Sequence, residues 1–308
     1  MEKQKLYFFA PLGNVDNSIL KLKLKQGFEI DSMSYDEGSK FIASIEKMAP
    51  EDAGRWRYFH TVFSQGKLFF IKNSFDFELL KNEDGNPLFS HKLYVFSNDL
   101  VDQNLVIPLR LLRLFKEGNI HMPCWYIFTL SNDIPTVILA GLATPFTQYQ
   151  GLFHLDDFEM ENAQKFIETT EIPKDQDYMK LALKNFELSY MIDDPSLSFL
   201  SLMIASEVLF NPGSGDITYR ISRNFAVLLG NSVEDAKRIQ KEIKELYRKR
   251  SSLVHNGKEI WNFVGEDDDE LKIRNYVRVS IKKIIPMNLS KDDLLNLLNS
   301  KGFGQLNE

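Results

Sequence analysis

The residues best suited to chemistry in this sequence stand together in "YRKRSSLVHNG", Tyr247 to Gly257, where Arg250 precedes His255 by five positions. A guanidinium is a fixed planar cation that matches phosphate oxygens, and an imidazole near its ordinary pKa of about 6.5 can give or take a proton at neutral pH. The pair therefore suits phosphate chemistry. The same spacing recurs in "RWRYFH", where Arg55 precedes His60. That stretch alternates like a strand, which would set the two on opposite faces, so this copy is expected to be accidental. The setting has to separate the two.

Around the second copy the apolar residues run Ala236, Ile239, Ile243, Leu246 and then Leu253. This is the three-to-four spacing of a buried helical stripe, and Arg250 occupies the next place in the series. A charge in such a seam costs several kcal/mol, on the order of a desolvated ion, unless it is paired or faces a wet cleft. Arg248 and Lys249 fall off the stripe and read as solvated. A partner is available in "SLSFLSLMIASEVLF", a segment apolar nearly all round in which Glu207 is the one charged residue. Glu207 is expected to pair with Arg250 or with Arg223, as a structural ion pair or as a device that orients the guanidinium. Five residues along a helix turn a side chain by about 500°, so Arg250 and His255 would point some 140° apart. They can meet one phosphate only if the helix stops near Val254, as Asn256-Gly257 encourages, or if two copies share a cleft.

The elements needed to position these residues divide the chain in two. From residue 1 to about 155 the sequence reads as α+β. Strands are expected at "KLYFFAPLG", "ILKLKLKQGFEI", "GKLFFIKNSFDFEL", "HKLYVFSN", "CWYIFTLSND" and "PTVILAGLATPF", with helices at "DEGSKFIASIEKM" and "VIPLRLLRLFKEGN". Asn-Asp-Ile-Pro and Glu-Asp-Gly-Asn-Pro mark turns. From 156 to 308 helices follow almost without interruption, near 156–170, 175–192, 196–210, 216–229, 232–254, 270–286 and 291–300. Ser232 with Asp235 and Ser290 with Asp293 read as helix-start caps. The acidic run "GEDDDE", 265–270, reads as a solvated loop ahead of a helix.

A chain of 308 residues with 44% hydrophobic and 26% charged residues can bury sizeable cores, and two domains is the expectation. The net charge of −6 excludes a globally polybasic nucleic-acid binder, although residues 211–260 carry ten Lys and Arg against six Asp and Glu. One cysteine, Cys124, and five scattered histidines argue against disulfides and metal sites. No cofactor is expected. The N-terminal run "MEKQKLYFFAPLG" is too short for a secretion signal, and the longest apolar run is too short to span a bilayer. The expected location is the cytoplasm, with no membrane partner.

The combination of "SLSFLSLMIASEVLF", "YRISRNFAVLLG" and Tyr-x-x-Arg-Ser-x-x-x-His-Asn-Gly resembles the HEPN superfamily, most closely its Apea-like branch, over roughly 175–290. The resemblance implies an all-α bundle that dimerises so that two Arg-x4-6-His motifs line one cleft. It also implies a metal-independent endoribonuclease used in antiphage defence or as a toxin. Arg250 and His255 are then the catalytic pair, supported by Tyr247, Glu207, Ser251, Asn256, Arg248 and Lys249. Ser251 stands where nuclease members often carry Asn, Asp or His. The fold expected is an α+β domain over 1–155 followed by an all-α HEPN-like bundle over 156–308. Expected partners are RNA, a second copy held through the C-terminal domain, and a phage-derived or nucleotide trigger. The other reading is a non-catalytic HEPN module that dimerises, binds a nucleotide or regulates. A nucleotidyltransferase partner is a third, although this chain carries no such motif.

Overall fold

The computed structural model describes residues 3–56, 58, 62–78, 80–81, 87–88, 91–143, 151–211, 213, 216–256 and 269–305. It divides into two compact units, Met1–Glu168 and Thr169–Glu308.

The first unit is built on an antiparallel sheet. Strands β1 (Lys3–Leu12), β2 (Glu29–Ser34), β4 (Lys67–Glu78), β7 (Cys124–Ser131) and β8 (Ile134–Leu142) lie in the order β2-β4-β1-β7-β8, with the short β3 (Phe63–Ser64) also pairing to β4. A separate two-residue ladder joins β5 (Leu80–Lys81) to β6 (Pro87–Leu88). Asn132 and Asp133 both take left-handed backbone, φ 49° and 63°, and close β7 onto β8 as a two-residue hairpin turn. The alternation of side chains sends Tyr7 and Phe9 to one face of β1 and Leu6 and Phe8 to the other.

Helix α1 (Tyr35–Glu46) covers the first of these faces. Ser34 caps it, accepting from the Glu37 N–H while the Glu37 carboxylate takes the Ser34 N–H. Ile42, Ala43 and Ile45 pack into a core with Phe9, Leu68, Phe70, Tyr126 and Phe128. Gly38 is needed for that approach, because a Cβ there would stand 2.9 Å from the Leu68 Cβ. On the other face, Phe96 of α2 (His91–Val101) meets the rings of Phe75 and Phe77. A five-residue π-helical segment, Asp102–Val106, joins α2 to α3 (Ile107–Phe115).

Three stretches expected as strands are otherwise among the described residues. "HKLYVFSN" is helical, and Leu93, Ser97, Val101 and Leu105 form its four-residue buried row. "ILKLKLKQGFEI" forms a 3-10 turn at Asn17–Lys21, and the strand begins only at Glu29. Among the described residues of "RWRYFH" none lies in a strand: Arg55 closes a 3-10 turn over Pro50–Arg55 and Tyr58 lies in a turn. His60 lies outside the described residues.

Helix α4 (Asp157–Thr169) is held to the first unit by Lys116–Glu159 and by Gln164 bonding to the backbone of Lys23. The division between units thus follows this helix instead of preceding it.

The second unit is helical: α5 (Asp177–Ser189), α6 (Pro195–Phe210), α7 (Ile217–Leu229), α8 (Val233–Asn256), α9 (Asp269–Ile284) and α10 (Lys291–Ser300). The Ser232 and Ser290 hydroxyls accept from the Asp235 and Asp293 N–H groups. Helix α6 packs on α5, α7, α8 and α9, yet it is not enclosed, since Leu197 is 54% and Ile204 45% exposed. Buried serines let α5 and α6 approach closely: Ser198 donates to the Ser189 carbonyl and Ser201 to that of Asn185. No described helix is long and apolar enough to cross a membrane.

Candidate functional site

In α8, Ala236, Ile239, Ile243 and Leu246 are all buried, as their spacing requires, and Arg250 follows on the same seam. The Arg250 and Glu207 side chains are 26% and 25% exposed, with Arg250 Nη2 at 3.3 Å from Glu207 Oε1. Tyr247, one turn before Arg250, donates its hydroxyl to the same Oε1 at 2.6 Å. The guanidinium carbon lies 5.8 Å from the centre of the Tyr247 ring. A lone carboxylate on an apolar helix thus receives two donors, and the cost of burying each charge falls.

Burial pushes the Tyr247 hydroxyl well above its ordinary pKa, its bond to Glu207 and the charge of Glu207 push the same way, and Arg250 opposes them. Tyr247 therefore holds its proton at neutral pH. Its part is to fix Glu207, and Glu207 in turn fixes Arg250. The other partner considered, Arg223, does not join this cluster. Its guanidinium donates to the carbonyls of Leu298 and Lys301 at 3.0 and 2.8 Å, at the end of α10, where unpaired carbonyls favour a cation.

Lys249 is not simply solvated. It pairs with Asp269, which is buried in the first turn of α9. Glu270 is also occupied, by Arg274. The end of the acidic run is therefore structural, while 257–268 lie outside the described residues. Arg248 and Ser251 are exposed on α8.

His255 is exposed, and α8 continues past Val254 to Asn256. Ser251 is accordingly an interior helix position and Asn256 the last one. With no helix stop at Val254, Arg250 and His255 diverge by about 140° in one chain. Arg248, seven residues before His255, is within about 20° of its face, with Ser251 between them. The fold therefore brings together Arg250, Glu207 and Tyr247, and lines up Arg248, Ser251 and His255 along the open side. It does not bring Arg250 to His255 within one chain.

One polar cluster escaped the sequence reading. Arg274 is 1% exposed and bonds Glu270, the Ser198 hydroxyl and the Ser189 carbonyl, with its guanidinium carbon 4.9 Å from the Tyr190 ring centre. The only signal was Glu270 and Arg274 four residues apart, which usually marks a surface pair. Among the described residues no group of three or more His, Cys, Asp or Glu is placed to hold a metal ion.

Compared with protein-family models, curated proteins and solved structures, the chain matches none of them.

Proposed function

We propose that the second unit is a metal-independent endoribonuclease of HEPN type, acting in antiphage defence or as a toxin, whose site is completed by a second copy of the chain. The observation that carries this reading is the polar cluster in the apolar seam: Arg250 is held by Glu207 where both side chains are about a quarter exposed, five residues before an exposed histidine on the same helix. In the reaction, the ribose 2′-oxygen attacks the adjacent phosphorus and the bond from phosphorus to the 5′-oxygen breaks. His255 takes the 2′-hydroxyl proton or protonates the leaving oxygen, and a guanidinium holds the phosphorane charge.

The divergence of Arg250 and His255 favours a shared cleft, in which one copy supplies the guanidinium and the other the imidazole. The exposed Ile204, one turn before Glu207, offers apolar surface for that contact. Arg248, on the open side, would track the RNA backbone. Lys249 is a poorer candidate for that task, since its ammonium is taken by Asp269. A non-catalytic regulatory module is favoured by one observation, the internal ion pair that already satisfies Arg250.

Incubating the whole protein with total RNA in EDTA tests the choice. The nuclease reading expects products ending in 2′,3′-cyclic phosphate, lost in His255→Ala and in Arg250→Ala, and partly restored when the two variants are mixed. Cleavage that persists in both variants would sink it.

A further inference from the structure

The first unit contains a cleft of about 420 Å³, inside the roughly 300–1,000 Å³ range of small-molecule sites. It opens on the α1 face of the sheet, where Phe41 of the helix gives way to the start of β2 and the middle of β4. Its floor is aromatic. Tyr7 and Phe128, on neighbouring strands, lie 5.7 Å apart between ring centres and 24° from parallel. Phe9 meets Phe41 edge-on at 4.8 Å and Phe70 at 5.2 Å.

One wall is polar, because Glu29 and Lys72 face each other across the β2–β4 register. Lys72 is held by Asp31 at 2.6 Å and stands 3.6 Å from Glu29, whose side chain is 70% exposed. Asp31 thus neutralises the lysine, leaving Glu29 with acceptor capacity at the edge of an aromatic floor. Tyr7 already carries the Lys5 ammonium 5.5 Å from its ring centre, the position of a cation over the electron-rich face.

We infer that this cleft binds a small molecule bearing a planar heteroaromatic ring with N–H donors on its edge, the chemistry of an amino-substituted nucleobase. The ring would displace the Lys5 ammonium from the face of Tyr7 and stack there beside Phe128, and its N–H groups would donate to Glu29. This inference concerns the first unit alone and does not depend on the ribonuclease reading.

The test is isothermal titration of the full chain with adenosine, guanosine and cytidine. At least one should bind at one site per chain. Tyr7→Leu, which removes the stacking face, and Glu29→Gln, which removes the anionic acceptor, should each weaken binding about tenfold or more. N6,N6-dimethyladenosine, without the exocyclic donors, should bind about tenfold more weakly than adenosine if adenosine is the base taken. Glu29 is exposed, so Glu29→Gln keeps the test valid even where Tyr7→Leu unfolds. No binding of any nucleoside at millimolar concentration, or equal affinity in both variants, would overturn the inference. So would a single-stranded oligoribonucleotide that binds while every free nucleoside fails, since the partner would then be RNA.

Discussion

Tyr247, Glu207 and Arg250 form a chain of dependence in which each residue is fixed by the previous one. Tyr247→Phe removes one donor but leaves the ion pair, so it should cost about 1 kcal/mol in urea unfolding. Glu207→Ala leaves a part-buried guanidinium and a hydroxyl without their acceptor. Because the pair is about a quarter exposed, the cost should be near 2 kcal/mol, below the roughly 3–5 of a fully buried pair. The double variant should cost less than the sum, since the Tyr247 bond no longer exists once Glu207 is gone. Strict additivity would show that the three do not act together. The sequence exposed this cluster through two anomalies, a lone carboxylate on an apolar helix and an arginine in an apolar row. It could not choose between Arg223 and Arg250, because that choice depends on which helix lies beside α6.

At the scale of elements, α9 is pinned at its start by two acid–base pairs, Asp269 to Lys249 of α8 and Glu270 to Arg274 within α9. Arg274→Ala strands Glu270 and opens a buried space, and should destabilise the second unit by about 3–5 kcal/mol. Replacing Arg274 and Glu270 together by methionine should recover much of that loss, because no uncompensated charge remains. Denaturant midpoints of the single and double variants check this, and a double variant worse than Arg274→Ala would contradict it. Most helices of the second unit were legible because a period of 3.6 repeats over 10 to 24 residues, and α6 because its apolar run of 16 is too long for a strand. "HKLYVFSN" misled because eight residues rich in aromatics show no period. The row that marks it as helical emerges only when Val101 and Leu105 are included.

For the whole molecule, the two units should respond differently to acid. His121 is buried in the first unit, its Nδ1 3.0 Å from the Asn119 carbonyl, with no partner for Nε2 among the described residues. Burial, opposed by that carbonyl and aided by Arg113, lowers its pKa from 6.5 to about 4. Between these values the unfolded chain binds the proton and the folded one does not. The contribution is therefore complete above pH 6.5 and lost as pH falls to about 4, amounting to roughly 3 kcal/mol. Asp16 and Asp31, whose pKa values are lowered, lose their contributions only further down, as acid protonates them. Unfolding followed by Trp125, in the first unit, should show the loss between pH 6.5 and 4, and His121→Gln should flatten it. A wild-type profile already flat in that window would refute the assignment.

By itself the sequence determined the helical second half, the α+β first half and the place where charge intrudes on an apolar seam. These are properties of local periodicity and of single residues whose burial is costly. Only the tertiary structure decided that Arg250 meets Glu207, that Lys249 is taken by Asp269, and that Arg274 is buried. It also decided that Arg248, not Arg250, shares the face of His255, because α8 continues past Val254. Pairing between distant charges depends on which helices become neighbours, and no local spacing encodes that.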